Sequence, residues 1–245
     1  MSNVAPLATA EEVNAFVESY YGGLGSTVYA NPVPLDPSDT ALVLIDIQEC
    51  ITKPALVEGL SAVGAYSEAL DPVLDAIEAG TRATVKNIKA VLDKCRAVGI
   101  RPIHVRIQSY LPGAEDTGAL HKSAGMLYPP GSSHAEFIAD VAPLDDEVSL
   151  TKTCSGIHVG THIDRVLRNL GVTKVIVVGF YTDQCISASV RDLSDLGYQV
   201  DLVEDAVGAM SPQRHEYALQ GIRKIYANSE TTAELLDRLE TVAAR

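Results

Sequence analysis

Two apolar runs rich in branched residues constrain the fold most: TALVLIDIQ at 40–48 and VTKVIVVGF at 172–180. A strand with one wet face alternates apolar and polar side chains, whereas runs this continuous belong to strands covered on both faces. IRPIHVRIQ at 100–108 and YQVDLVEDAV at 198–207 read as two further strands, and EVSLTKT at 147–153 as a short one. Helical spacing fills the gaps. Val73, Ile77, Val85, Ile88, Val91 and Leu92 recur on one face of a segment that ends at Gly99, a residue suited to a left-handed C-cap. HIDRVLRNLG and SASVRDLSDLG are amphipathic and close on Gly171 and Gly197, and HEYALQGIRKIY is also helical. A last short strand is expected around IYANS, before a terminal helix capped by Thr231 or Thr232. Strands alternating with helices require crossover connections, so the pattern predicts an α/β fold: a mainly parallel sheet with helices on both faces.

The alternation spans 39–245 and predicts a single domain there. Residues 1–38 read as an N-terminal extension or arm: AEEVNAFVESYY has helical spacing, GGLGS is expected to end that helix, and YANPVPLDPSD is a Pro-rich loop. Residues 110–145 are rich in Gly, Pro, Ser and His without a clear period. A loop that long inside a compact domain is often functional. A net charge of −13 argues against nucleic acid as a partner, since phosphate binding needs a concentrated basic surface. No run approaches the about 18 apolar residues of a membrane span, and MSNVAPLATAEEVNAF lacks the pattern of a signal peptide. Cys50, Cys95, Cys154 and Cys185 form no CxxC pair, and they read as free thiols of a cytoplasmic protein.

In parallel α/β sheets, ligands bind beyond the carboxyl ends of the strands. The first run delivers Asp46 and Gln48 there, the second Arg106 and Gln108, the short strand Lys152, and VTKVIVVGF delivers Tyr181, Thr182 and Cys185. Taken alone, Cys185 fits equally a small buried hydrophobe or a nucleophile at a helix N-terminus. Asp46 inside an apolar run is costly unless something pairs with it. An acid, an amine and a thiol at three strand ends form a more specific pattern than any one of them, because the amine and the helix end lower a thiol pKa and the acid can take its proton. His158 and His162, one helical turn apart, lack the acid of an HExxH pattern and read as a solvated helix face, so no metal is expected. IDIQECITK has no Gly-rich turn for a dinucleotide, and Gln48 stands where a haloacid-dehalogenase-type phosphatase would carry a second Asp.

Over about residues 40–240 the chain resembles the isochorismatase-like cysteine hydrolases. The resemblance rests on ALVLIDIQ, on Lys152 ahead of GTHIDRVLRNLGV, and on VVGFYTDQC followed by SVRDLSDLGYQVDLVEDA. It implies a Rossmann-type three-layer sandwich, a catalytic triad of Asp46, Lys152 and Cys185, and a cis peptide between Phe180 and Tyr181. It also implies an oxyanion hole made by the backbone N–H groups of Tyr181 and Cys185. ECITKPALVEG carries no histidine pair of the kind that holds the nicotinamidase metal, so neither metal nor cofactor is expected. Isochorismatases that cleave vinyl ethers lack the cysteine, so Cys185 favours amide-type cleavage.

The expected activity is therefore hydrolysis of a C–N bond in a small amide, ureide or N-carbamoyl compound through a thioester. A vinyl-ether hydrolase or a non-catalytic binding protein of the same fold is the alternative. Gln48, Arg106, Phe180 and Thr182 are candidates for substrate contacts, Arg106 either for a carboxylate or carbonyl or for a surface acid. The 110–135 loop and the N-terminal extension are expected to cover the pocket. By analogy with the family, a homo-oligomer, dimer or tetramer, is expected.

Overall fold

The structure is a computed structural model and describes residues 8–28 and 34–242. Six strands form one all-parallel sheet: β1 (Thr40–Ile45), β2 (Arg101–Ile107), β3 (Val148–Lys152), β4 (Lys174–Phe180), β5 (Gln199–Gly208) and β6 (Asn228–Glu230), in the order β3-β2-β1-β4-β5-β6. The helices, in chain order, are α1 (Ala10–Val28), α2 (Lys53–Ala62), α3 (Asp71–Val98), α4 (Ala119–Ser123), α5 (Ile157–Gly160), α6 (Ile163–Asn169), α7 (Ser187–Asp195), α8 (Pro212–Gln220) and α9 (Thr232–Glu240).

Every residue of β1 is buried, and its side chains divide between two cores. Ala41, Val43 and Ile45 pack with Ile163 and Leu167 of α6 and with Val190 and Leu193 of α7. Leu42 and Leu44 pack with Ile88, Val91 and Leu92 of α3 and with Leu235 and Leu239 of α9. This is why the run carries no alternation: both pleat directions meet a helix layer. Gly99 ends α3 at φ 83°, and Thr231 caps α9 in a reciprocal box with Glu234. From β1 the chain winds outward through β2 to β3, then returns to lay β4 on the other side of β1. Right-handed crossovers in both directions put α3 on one face and α6 and α7 on the other. The reversal opens a crevice beyond the carboxyl ends of β1 and β4, the usual ligand position in such sheets.

Two local expectations are corrected. GGLGS does not end the first helix, and α1 runs on to Val28; a glycine costs a helix only about 1 kcal/mol and leaves its N–H ladder intact. The helix read from His158 onward is broken. Thr161 is extended, its hydroxyl donating to the carbonyl of Ile157 at 2.7 Å and accepting from the N–H of Ile163 at 3.0 Å. That hydroxyl replaces ladder bonds and splits α5 from α6. His158 and His162 thus lose their common helical face. His162 is exposed, but both ring nitrogens of His158 are buried without a hydrogen-bond partner, with Asp192 4.0 Å away, so His158 is not part of a solvated face. Among the described residues no helix is long and apolar enough to cross a membrane. Of the Pro-rich loop expected at 29–39, residues 29–33 lie outside the described residues.

Candidate active site

Three strands bring Asp46, Lys152 and Cys185 together. Asp46 follows β1 directly with φ 54°, its N–H donating to the carbonyl of Val105 at 2.8 Å. Asp tolerates this left-handed region better than most residues. The neighbouring strand makes room through Gly179, at φ 128°, where a Cβ would stand 2.0 Å from the carbonyl oxygen of Ile45. Lys152 ends β3 and is fully buried. Its Nζ lies 2.8 Å from Asp46 Oδ2 and donates to the carbonyl of Cys154 at 3.0 Å and to Cys185 Sγ at 3.3 Å. A buried ammonium persists only when paired and hydrogen-bonded in this way.

Cys185 sits in a π-helical turn, Thr182–Ile186, that leads into α7. The carbonyl of Tyr181 accepts from the N–H groups of Gln184 (2.9 Å) and Ile186 (3.2 Å), on either side of Cys185. Such turns recur at functional sites. The peptide bond between Phe180 and Tyr181 is cis.

Burial raises the pKa of Asp46, with Lys152 and then Cys185 acting against it. Burial also pushes the Cys185 thiol up, and the Asp46 carboxylate adds to the rise. For Lys152 burial works against the charge, but Asp46 and then Cys185 outweigh it and hold the ammonium above its ordinary range. Burial and Asp46 thus favour the neutral thiol, Asp46 and Cys185 favour the ammonium, and Lys152 is the main influence favouring the carboxylate against burial. Moving the proton from Cys185 to Asp46 leaves the net charge unchanged beside a fixed cation, so the transfer carries no added cost of burying charge.

The trio faces a cavity of about 380 Å³ lined by both Asp46 and Cys185. Of the four expected substrate contacts, Phe180 lines it, as does Tyr181. The other three point elsewhere. Gln48 Nε2 donates to the carbonyls of Ile107 (3.0 Å) and Ala135 (3.2 Å), and its Oε1 accepts from the Ile107 N–H at 2.7 Å. It clamps the end of β1 to β2, fully buried and away from the cavity wall. Arg106 lies on the pleat opposite Ile107, stacks over the Phe137 ring at 5.1 Å and donates weakly to the Ala135 carbonyl at 3.4 Å; it does not line the cavity and is paired with no acid among the described residues. Thr182 is buried against Nδ1 of His215 at 2.9 Å.

The long loop does reach the cavity, through Leu120, His121, Ala124 and Met126, whereas no described residue of the 1–38 segment lines it. Cys50, Ser155, Asp183 and Gln184 also line it, none of them singled out by strand-end reasoning except through their neighbours. Burial and then the Asp46 charge push the Cys50 thiol up to about 12, while the Tyr128 hydroxyl, hydrogen-bonded to it, acts against them. Among the described residues no group of three or more His, Cys, Asp or Glu is placed to hold a metal ion.

The family whose sequence pattern matches is the isochorismatase domain, over residues 40–234. A ureidoacrylate amidohydrolase (RutB) of Rhizobium rhizogenes is 27% identical over 200 residues, covering 74% of this chain and 75% of its own length. Among solved structures, a cysteine hydrolase of Pseudomonas syringae pv. phaseolicola aligns with a TM-score of 0.67 at 25% identity, over 86% of this chain and 97% of that one. An N-carbamoylsarcosine amidase from Thermoplasma acidophilum shares the fold at 21% identity, with a TM-score of 0.58 over 79% and 96% of the two chains.

Proposed function

Because the chain belongs to the isochorismatase family, we propose that it is a cysteine-dependent amidohydrolase, with Cys185 as nucleophile, cleaving a C–N bond of a small amide, ureide or N-carbamoyl compound. The observation that carries this reading is the buried Lys152 ammonium, 2.8 Å from Asp46 and 3.3 Å from Cys185 at the wall of the cavity. The ureidoacrylate amidohydrolase among its relatives supports the reaction class.

In this mechanism the substrate carbonyl lies over Cys185 Sγ. Asp46 accepts the thiol proton as sulfur attacks carbon, and Lys152 holds the carboxylate in place and offsets the thiolate charge. The backbone N–H groups of Tyr181 and Cys185 receive the oxyanion, a contribution on the order of 3 kcal/mol for each donor. The C–N bond breaks as Asp46 returns the proton to nitrogen, leaving a thioester on Cys185 and a free amine or ammonia. Water then gives a proton to Asp46 and its oxygen to the acyl or carbamoyl carbon. The proton passes back to sulfur and the acid leaves.

The test is ammonia release over a panel of small amides and ureides. Cys185→Ala should abolish turnover while circular dichroism and melting stay those of the wild type. An Ala variant that retains near-normal turnover removes Cys185 as the nucleophile.

A further inference from the structure

Outside the trio, two polar side chains in the cavity have unfilled hydrogen-bonding capacity. His121 is 4% exposed and lines the cavity with Cys185, and its Nδ1 is buried without a partner among the described residues. Asp183 also lines the cavity. Its Oδ2 is held by the guanidinium of Arg214, while its Oδ1 is buried without a partner. Leaving such groups unmatched costs a folded chain about 1–3 kcal/mol each, a cost that a ligand with complementary groups removes.

The charge around them is one-sided. No Lys or Arg is among the residues lining the cavity. Lys152, behind the wall, is committed to Asp46, and Arg106 is turned to the other side of the sheet. Burial and the nearby Lys152 charge both lower the pKa of His121, so its ring is neutral at pH 7. Arg214 is committed to Asp183 and is not on the wall, so the lining itself is acidic or neutral, set among Ile51, Ile107, Leu120, Ala124, Met126 and Phe180.

We infer that the cavity selects an uncharged amide or ureide bearing N–H groups and an apolar or neutral substituent, and rejects the carboxylated analogue, with Asp183 accepting a substrate N–H and His121 hydrogen-bonding the substituent end. A carboxylate in the same place would lie beside the free Oδ1 of Asp183, with the Arg214 guanidinium already taken up by Asp183 and no Lys or Arg on the cavity wall to receive it. This selectivity rests on the amidohydrolase reading for its chemistry, but it can be read from binding alone.

The probes are N-carbamoylglycinamide and N-carbamoylglycine, which differ only in amide against carboxylate. Each is titrated as a competitor of Cys185 alkylation by iodoacetamide, followed by mass spectrometry, and each is assayed for ammonia release. The neutral compound should protect Cys185 at a concentration lower by about tenfold or more, and its kcat/KM should exceed that of the acid by a similar factor. Asp183→Asn should shrink the protection ratio at least about threefold, and His121→Phe should weaken protection by the neutral compound while His121→Asn recovers part of it. Equal or better protection by N-carbamoylglycine, or protection by neither compound, overturns the inference. Selective protection without ammonia release supports it and sinks the amidohydrolase reading instead.

Discussion

Replacing Lys152 by Met tests the electrostatic core of the site. The side chain is fully buried, and its Nζ meets Asp46 Oδ2, the Cys154 carbonyl and Cys185 Sγ within 3.3 Å. Removing one partner of a buried ion pair costs about 3–5 kcal/mol, because the other charge is left uncompensated. In a chain of this size each kcal/mol lowers Tm by about 2–4 °C, so Lys152→Met should melt about 6–20 °C below wild type at pH 8. The deficit should depend on pH. Burial already raises the Asp46 pKa, and loss of the ammonium removes the main influence opposing it. A carboxyl whose folded pKa lies above its unfolded value contributes most below the unfolded pKa, about 3.9, and loses that contribution as pH rises through the folded pKa. The variant should therefore approach wild type on going from pH 8 to pH 5.5, by at most about 1.4 kcal/mol per pH unit. Adding Asp46→Asn removes the stranded charge, so the double variant should regain most of the lost Tm and lose the extra pH dependence of the single variant over that range. Scanning calorimetry of wild type, the single variant and the double variant at several pH values decides the matter. A single variant as stable as wild type at pH 8, or a double variant no better than the single, refutes the pairing argument.

Gln48→Leu should cost about 1–3 kcal/mol for each backbone group of Ile107 and Ala135 it leaves unpaired in the interior, visible as a lower urea midpoint; an unchanged midpoint contradicts the clamp. Gly179→Ala forces a Cβ to within 2.0 Å of the Ile45 carbonyl oxygen at φ 128°, and should cost about 3 kcal/mol or more in thermal melts; melting like wild type would show that β1 and β4 separate easily. Burial alone would raise the pKa of Glu147, but hydrogen bonds from Arg96 and the Leu144 N–H, with the Arg96 charge, lower it to about 2. A lowered folded pKa gives stability present above the unfolded value and lost as pH falls from about 4.5 toward about 2. Glu147→Gln should accordingly flatten that part of the acid-unfolding profile, and an identical acid profile would rule out the linkage.

The sheet was legible because its strands are covered on both sides, so burial alone dictates the residues of β1 and β4. Asp46, Lys152 and Cys185 could be brought to one place for a related reason: the carboxyl ends of parallel strands share an edge, whichever way each side chain turns. Gln48, Arg106 and Thr182 show where that logic stops. Being at the edge does not say which face a side chain takes, and the turn at Asp46, with its positive φ, resets the direction of the side chains after it. Arg106 lies on the α3 side by simple strand parity with His104, a signal present in IRPIHVRIQ but outweighed by the appeal of a cation at a strand end. His121 comes from a segment with no periodicity, so its approach to Cys185 is purely tertiary. The split between α5 and α6 depends on one threonine hydroxyl, which a periodicity argument does not weigh.

The order β3-β2-β1-β4 has a consequence for synthesis and turnover of the chain. Lys152 and Cys185 belong to strands separated in the sheet by two others, with Asp46 between them. No hairpin, fragment or early collapsed state joins these groups, since each pair depends on crossover connections being complete. Until β4 docks beside β1, Cys185 is an ordinary cysteine with no ammonium at its side. A chain in which β3, β1 and β4 are not assembled thus exposes a thiol of common reactivity, and its special environment requires all three strands in place. Reactivity at Cys185 is for that reason a reporter of native topology as well as of the site.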